Sequence, residues 1–245
     1  MKKKSSEEKT VQAEIGLFLL KASDVAEPIK KIEEKYPHVA FQIHSEAGLI
    51  RIRIAVSDEW AHELEEIILE FKKKFPTNFF KGTLEACLQE AFIQKKKTLI
   101  LAESCTGGAM ASVLTSLPGS SAYFLGSIVS YANSIKERVL QVKPATLKEK
   151  GAVSKETVKE MLDGAFALSS ADYAVAVSGI AGPGGGDSNK PVGTVFIGFA
   201  KKGDPYQINT VFIEGKREQV IKETVYTAFS YLYRKLEFTI DTTNE

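Results

Sequence analysis

The sequence predicts a three-layer α/β/α domain with a mixed sheet, preceded by a small α+β module of βαββα pattern. Three observations carry this. From about residue 83, amphipathic helical patterns alternate with short, continuously apolar runs such as "TLILAES" and "DYAVAVSG", as strands buried on both faces do. Near the C-terminus, "VGTVFIGFA" and "QINTVFIEG" follow one another directly, so the sheet closes with consecutive strands and is mixed. Residues 11–80 instead show strands that alternate apolar and polar side chains, with two helices between them.

Taken in order, residues 1–10 are polar and charged and read as a disordered lead-in. "EIGLFLLKA" is a strand. The following helix places Val25, Ile29, Ile32 and Tyr36 on one face, and Pro28 suits only a first turn, so this helix is expected to begin just before it. "HVAFQIHS" and "LIRIRIAV" form a hairpin around "SEAG". A second helix carries Trp60, Leu64, Ile67, Ile68, Phe71 and Phe75 and stops at Pro76. The module is expected over 11–80 and the larger domain over 81–236, with a tail at 237–245.

The larger domain opens with a helix whose Leu84, Cys87, Leu88, Ala91 and Phe92 share a face, which gives Cys87 a packing role. A strand through "TLILAES" leads to a helix from about Gly108, a strand near "GSIVSYA" and helical stretches over 134–149. Ser154 caps a helix bearing Val158, Met161, Leu162 and Ala165. A last helix shows Ile221, Val225, Ala228, Phe229 and Leu232.

Composition excludes several function classes. Lysine and arginine number 32 against 31 aspartates and glutamates, so net charge gives no reason to expect a nucleic-acid or membrane partner. Two cysteines cannot build a disulfide framework, no apolar run reaches transmembrane length, and "MKKKSSEEKT" lacks the apolar core of a signal peptide. A cytoplasmic protein is expected. His38, His44 and His62 all lie in the small module, so a Ser–His–Asp arrangement or a histidine zinc site in the larger domain is disfavoured. A nucleophile there would need a lysine, tyrosine or carboxylate as base.

Candidate residues follow. Ser104 ends a strand that runs into "SCTGG", where small residues and free N–H groups at a helix start could hold an anion or oxyanion; a plain helix cap would also explain it. It is not a G-x-S-x-G elbow, because Ala102 and Thr106 occupy the glycine positions. "SYANSIK" puts Tyr131 at a strand end and Lys136 one turn into a helix, and that lysine is either a solvated surface residue or a base made neutral by burial. "SGIAGPGGGD", with Gly179 and Gly182 among its glycines, allows close approach to a phosphate or ribose, or is a flexible connection; it has neither the helix of a dinucleotide fingerprint nor the ending of a P-loop. Arg217 begins the last helix, where a cation is unfavourable unless an anion lies near.

Together, "AESCTGG", "LPGSSAYFLGSIVSYANSIK", "GAVSKETV", "AVAVSGIAGPGGG" and "KPVGTVFIG" resemble the C-terminal amidohydrolase domain of the CinA family, whose stand-alone relatives are nicotinamide-nucleotide amidases. The resemblance runs from about residue 83 to 235. It implies hydrolysis of nicotinamide mononucleotide to nicotinic acid mononucleotide and ammonia, without a metal or other cofactor, in pyridine-nucleotide recycling. It places the nucleophile on Ser104, with Cys105 as a packed neighbour, and puts the family's tyrosine and lysine on Tyr131 and Lys136. Substrate contacts are expected from Thr106, Gly107, Gly108, Ser178, Gly179, Gly182 and Arg217, with Lys136 as base and helix-start N–H groups as the oxyanion site. Tyr131 is expected to orient the lysine or pass on its proton. Ser178 stands where the family has threonine, and Ile221 where a second arginine often occurs. The same pocket in a catalytically silent chain would make a nucleotide sensor. Residues 11–80 resemble the KH-like module of CinA, but no G-x-x-G loop is present, so a structural or dimer-contact role is expected rather than nucleic-acid binding. A homodimer is the family's habit.

Overall fold

The computed structural model describes residues 10–238, which divide into two compact units between Cys87 and Leu88. The lead-in expected over 1–10 and the tail over 237–245 lie outside the described residues, apart from Thr10 in the first strand and residues 237 and 238 in the last helix.

The first unit contains β1 (Thr10–Phe18), α1 (Ala22–Lys35), β2 (Ala40–Glu46), β3 (Leu49–Ser57), α2 (Glu63–Lys74) and β4 (Phe79–Lys81). They form one antiparallel sheet of order β2-β3-β1-β4, the arrangement of a ferredoxin-like split βαβ unit. The expected βαββα pattern therefore gains a fourth strand, "FFK", which pairs Gly16 with Phe80. One sheet face buries Ile15, Leu17, Ile50, Ile52, Ile54 and Val56 against Val25, Ile29 and Ile32 of α1 and Leu64, Ile67, Ile68 and Phe71 of α2. The hairpin turns through Ala47 and Gly48, whose φ values of 52° and 74° are those of a type I′ turn. Helix α1 begins six residues before Pro28, not just before it. Burial of Val25 in the same apolar stripe outweighs the one helical bond that the proline nitrogen cannot donate.

The second unit begins at Leu88, within helix α3 (Leu84–Gln94). Cys87 on that helix is half-buried rather than in the core, and its thiol donates to the Lys81 carbonyl. The unit comprises β5 (Leu99–Glu103), α4 (Ala109–Thr115), β6 (Phe124–Val129), α5 (Asn133–Leu140), α6 (Pro144–Lys150), α7 (Lys155–Ala167), β7 (Tyr173–Gly179), β8 (Thr194–Lys201), β9 (Gln207–Phe212) and α8 (Arg217–Phe238). The sheet order is β6-β5-β7-β8-β9; β5 is parallel to both neighbours, and β7, β8 and β9 pair antiparallel. This is the mixed sheet that the consecutive C-terminal strands imply.

Strand alternation sorts the core into two layers. Ile100 and Ala102 of β5 and Ala174 and Ala176 of β7 pack with Leu140, Val158, Met161, Leu162 and Ala165 of α5 and α7. Their fully buried neighbours Leu99, Leu101, Val175 and Val177 face the other side, where α4 and α8 contact the sheet. Ser154 caps α7 as expected, accepting from the Thr157 N–H at 3.2 Å. Gly164 lets α5 settle onto α7, because a Cβ there would overlap the Leu140 carbonyl. That contact fixes the end of the helix that carries Lys136.

Candidate active site

The site forms at the carboxyl ends of the parallel strands β5, β6 and β7, the usual place for a ligand crevice in such a sheet. The ladder continues one residue past β5. The Ser104 N–H donates to the Val177 carbonyl at 3.1 Å and the Ser130 N–H to the Glu103 carbonyl at 2.8 Å. The chain then turns sharply, with the Gly107 N–H closing onto the Ser104 carbonyl at 3.1 Å and Gly108 in the left-handed region at φ 99°. Helix α4 starts at Ala109.

Lys136 reaches this turn from α5. Its Nζ donates to Ser104 Oγ at 2.8 Å, to the Ser130 carbonyl at 2.6 Å and to the Tyr131 carbonyl at 3.2 Å. The side chain is 1% exposed, and burial lowers its pKa to about 8. Of the two readings of this lysine, surface residue or buried base, the structure has the buried one. When the amine is neutral, two carbonyls can take its two hydrogens and leave the lone pair for the Ser104 hydroxyl. Burial pushes the neighbouring Cys105 thiol the other way, up to about 12, so it stays protonated near neutral pH.

Tyr131 joins this pair to Arg217. Its main-chain carbonyl accepts from Lys136, while its exposed hydroxyl accepts from Arg217 Nη2 at 3.1 Å. The hydroxyl expected to steer the lysine therefore faces the arginine, and the carbonyl does the steering. Arg217 Nη1 donates to the Gly182 carbonyl at 2.9 Å, which ties the glycine-rich loop to the start of α8. These bonds use two of the five guanidinium N–H donors.

The buried Thr106 hydroxyl and the Gly108 N–H donate to Glu103 Oε2, at 2.8 and 3.0 Å. Ser178 is 1% exposed and its hydroxyl donates to the Ala152 carbonyl at 2.7 Å, so it ties the end of β7 to the segment between α6 and α7. Gly179 is the last residue of β7, paired with Val195 of β8. Ile221 lies one turn beyond Arg217 on α8 and is partly buried.

Helix-start N–H groups are not the free donors that the sequence suggests. The Glu103 carboxylate takes those of Gly108, Met110 and Ala111, at 3.0, 3.1 and 3.0 Å. Among the described residues, the N–H groups of Cys105 and Thr106 meet no backbone carbonyl or side-chain oxygen, so the donors left beside Ser104 belong to the turn. Sequence reasoning missed Glu103. Its one signal is a carboxylate at the end of an otherwise apolar buried run.

No three His, Cys, Asp or Glu side chains gather as metal ligands would, and no helix is long and apolar enough to cross a membrane, both among the described residues. A groove of about 470 Å³ runs along α5, α6 and α7 and shares no residue with the site.

The CinA C-terminal domain family matches residues 81–236. A CinA-like protein of Endomicrobium trichonymphae is 41% identical over 236 residues, covering 91% of this chain and 54% of that protein. One from Thermosipho melanesiensis is 36% identical over 232 residues, covering 94% and 57%. The chain thus spans little more than half the length of these two relatives. Among solved structures, competence damage-inducible protein A (ComA) of Klebsiella pneumoniae superposes with a TM-score of 0.61 at 36% identity, over 64% of this chain and 97% of that one. Competence/damage inducible protein CihA of Agrobacterium tumefaciens gives 0.59 at 38%, over 62% and 95%. Family match, sequence identity and the superposed α/β unit agree: the chain belongs to the CinA C-terminal domain family.

Proposed function

We propose that the second unit is a serine amidohydrolase that converts nicotinamide mononucleotide to nicotinic acid mononucleotide and ammonia. The observation that carries this reading is the 2.8 Å contact between Lys136 Nζ and Ser104 Oγ, made with both side chains buried. Neutral Lys136 takes the hydroxyl proton as Ser104 Oγ attacks the carboxamide carbon. The N–H groups of Cys105 and Thr106 hold the oxygen that becomes negative. The lysine ammonium returns the proton to the departing amine, and the C–N bond breaks to release ammonia. Water, deprotonated by the same lysine, then hydrolyses the acyl-serine. Arg217, with Tyr131 and Gly182 holding it in place, supplies the cation for the nucleotide phosphate.

Ile221 supports a weaker phosphate site than one with two arginines. The first unit is read as a structural or dimer-contact module, and the protein as a cytoplasmic homodimer in pyridine-nucleotide recycling. The deciding experiment compares product formation by the wild-type protein and by Ser104→Ala and Cys105→Ala variants. A nucleotide that binds without turnover would leave a sensor in place of the enzyme.

A further inference from the structure

We infer that Glu103 is a positioning residue for Ser104: its carboxylate gathers the donors around the nucleophile turn so that the Cys105 and Thr106 N–H groups alone stay open to substrate. The inference rests on the reading of Ser104 as nucleophile.

Glu103 is fully buried in a strand otherwise made of apolar residues. Oε2 accepts from the Thr106 hydroxyl and the N–H groups of Gly108 and Met110; Oε1 accepts from the Ala111 N–H and from Ser127 Oγ of β6 at 2.9 Å. Those five donors fill the acceptor sites of a carboxylate, which has about four lone-pair positions. Nothing remains for substrate or for proton transfer, so Glu103 is neither base nor ligand.

The geometry of those bonds gives it a different task. Four of the five donors lie within eight residues after Glu103, on both sides of the bend at Gly107 and Gly108. The fifth ties the carboxylate to β6, the strand whose extension supplies the Ser130 carbonyl to Lys136. One buried group thus sets the turn holding Ser104 and the strand holding the lysine's acceptor in a common frame. A misplacement of the nucleophile affects the transition state more than substrate binding.

The test uses the full chain and two readouts: steady-state hydrolysis of nicotinamide mononucleotide, and the rate at which a fluorophosphonate labels Ser104. In labelling, Oγ forms a bond to phosphorus, fluoride leaves and the serine proton passes to Lys136. Glu103→Gln keeps the shape but turns an amide NH2 toward N–H donors. It is expected to lower kcat and labelling rate about 100-fold, as loss of an oxyanion donor does, with KM within about threefold of wild type. Ser127→Ala keeps four of the five bonds and is expected to lower both rates about three- to tenfold with unchanged KM. Folded Glu103→Gln protein with wild-type kcat and labelling overturns the inference, as does a fall in KM-dependent binding alone. Should Glu103→Gln fail to fold, unchanged rates in Ser127→Ala overturn it instead. If the wild type is labelled but releases no ammonia, the amidase reading fails and the labelling rates still judge Glu103. A wild type that does neither overturns both.

Discussion

Lys136 Nζ and Ser104 Oγ lie 2.8 Å apart, and no acidic side chain shares that contact. An ammonium there has only a hydroxyl and two main-chain carbonyls for company, and its burial disfavours the charge. Below a pH of about 8 the lysine is mostly protonated and cannot accept the serine proton. The expected profile of kcat/KM therefore rises with pH to a plateau, with an apparent pKa near 8. A profile that is flat from about pH 6 to 9, across the lysine's own pKa, would remove Lys136 as the base.

The same burial has a stability consequence of definite sign. The folded-state pKa is depressed from 10.5 to about 8, so between those values the unfolded chain binds the proton more strongly and stability rises with pH. The destabilisation present below that window is on the order of 3 kcal/mol. Lys136→Met removes this pH dependence, though it leaves the Ser130 and Tyr131 carbonyls without that donor. Denaturant titrations of both proteins across the window are expected to show the wild type gaining on the variant as pH rises. Parallel curves would contradict the assignment.

Arg217 is expected to act on binding rather than on chemistry. Arg217→Ala should raise KM for the nucleotide about 10- to 100-fold, the effect of losing a charge-assisted pair, with a smaller change in kcat. Tyr131→Phe removes only the hydroxyl that accepts from Arg217 and keeps the carbonyl that accepts from Lys136. It should therefore raise KM by about two- to fivefold, as loss of one such bond does, and spare most of kcat. Steady-state kinetics with the two variants separates these outcomes. Loss of kcat in Tyr131→Phe would return the hydroxyl to a role in proton transfer.

Gly164→Ala tests whether the packing of α5 on α7 sets the site. The new methyl overlaps the Leu140 carbonyl, so the helices must part, at a cost of about 1–3 kcal/mol. Thermal melts should show the loss, and kcat should fall with it because Lys136 rides on α5. A destabilised variant with unchanged kcat would mean that the lysine is placed independently of that contact.

Much of this architecture is written in local pattern. The buried runs of β5 and β7 and the back-to-back strands β8 and β9 are long enough to be read as strands, and their order determines a mixed sheet. Strand β4 is only three residues long and exists because β1 pairs with it, which no window of sequence shows. Helix α1 runs through Pro28 because burial of Val25 outweighs one missing bond. In the site, Ser104, Tyr131, Lys136 and Arg217 stand out by motif and position. The burial of Lys136 depends on the packing of α5, and the direction of the Tyr131 hydroxyl on where α8 begins. Glu103 was hidden for a simpler reason: a charged residue at a strand end reads as solvent-facing, and its donors are scattered from Thr106 to Ser127.

The most direct test of Ser104 and Lys136 as an amidase pair is product formation itself. Chelator-treated wild type, Ser104→Ala and Cys105→Ala proteins are incubated with nicotinamide mononucleotide, and ammonia and nicotinic acid mononucleotide are followed by chromatography. Wild type and Cys105→Ala are expected to make both products, and Ser104→Ala to lose at least about 1,000-fold in rate, as removal of a serine nucleophile does. Retained turnover in Ser104→Ala, or a wild type that binds the nucleotide and releases no ammonia, would contradict the assignment.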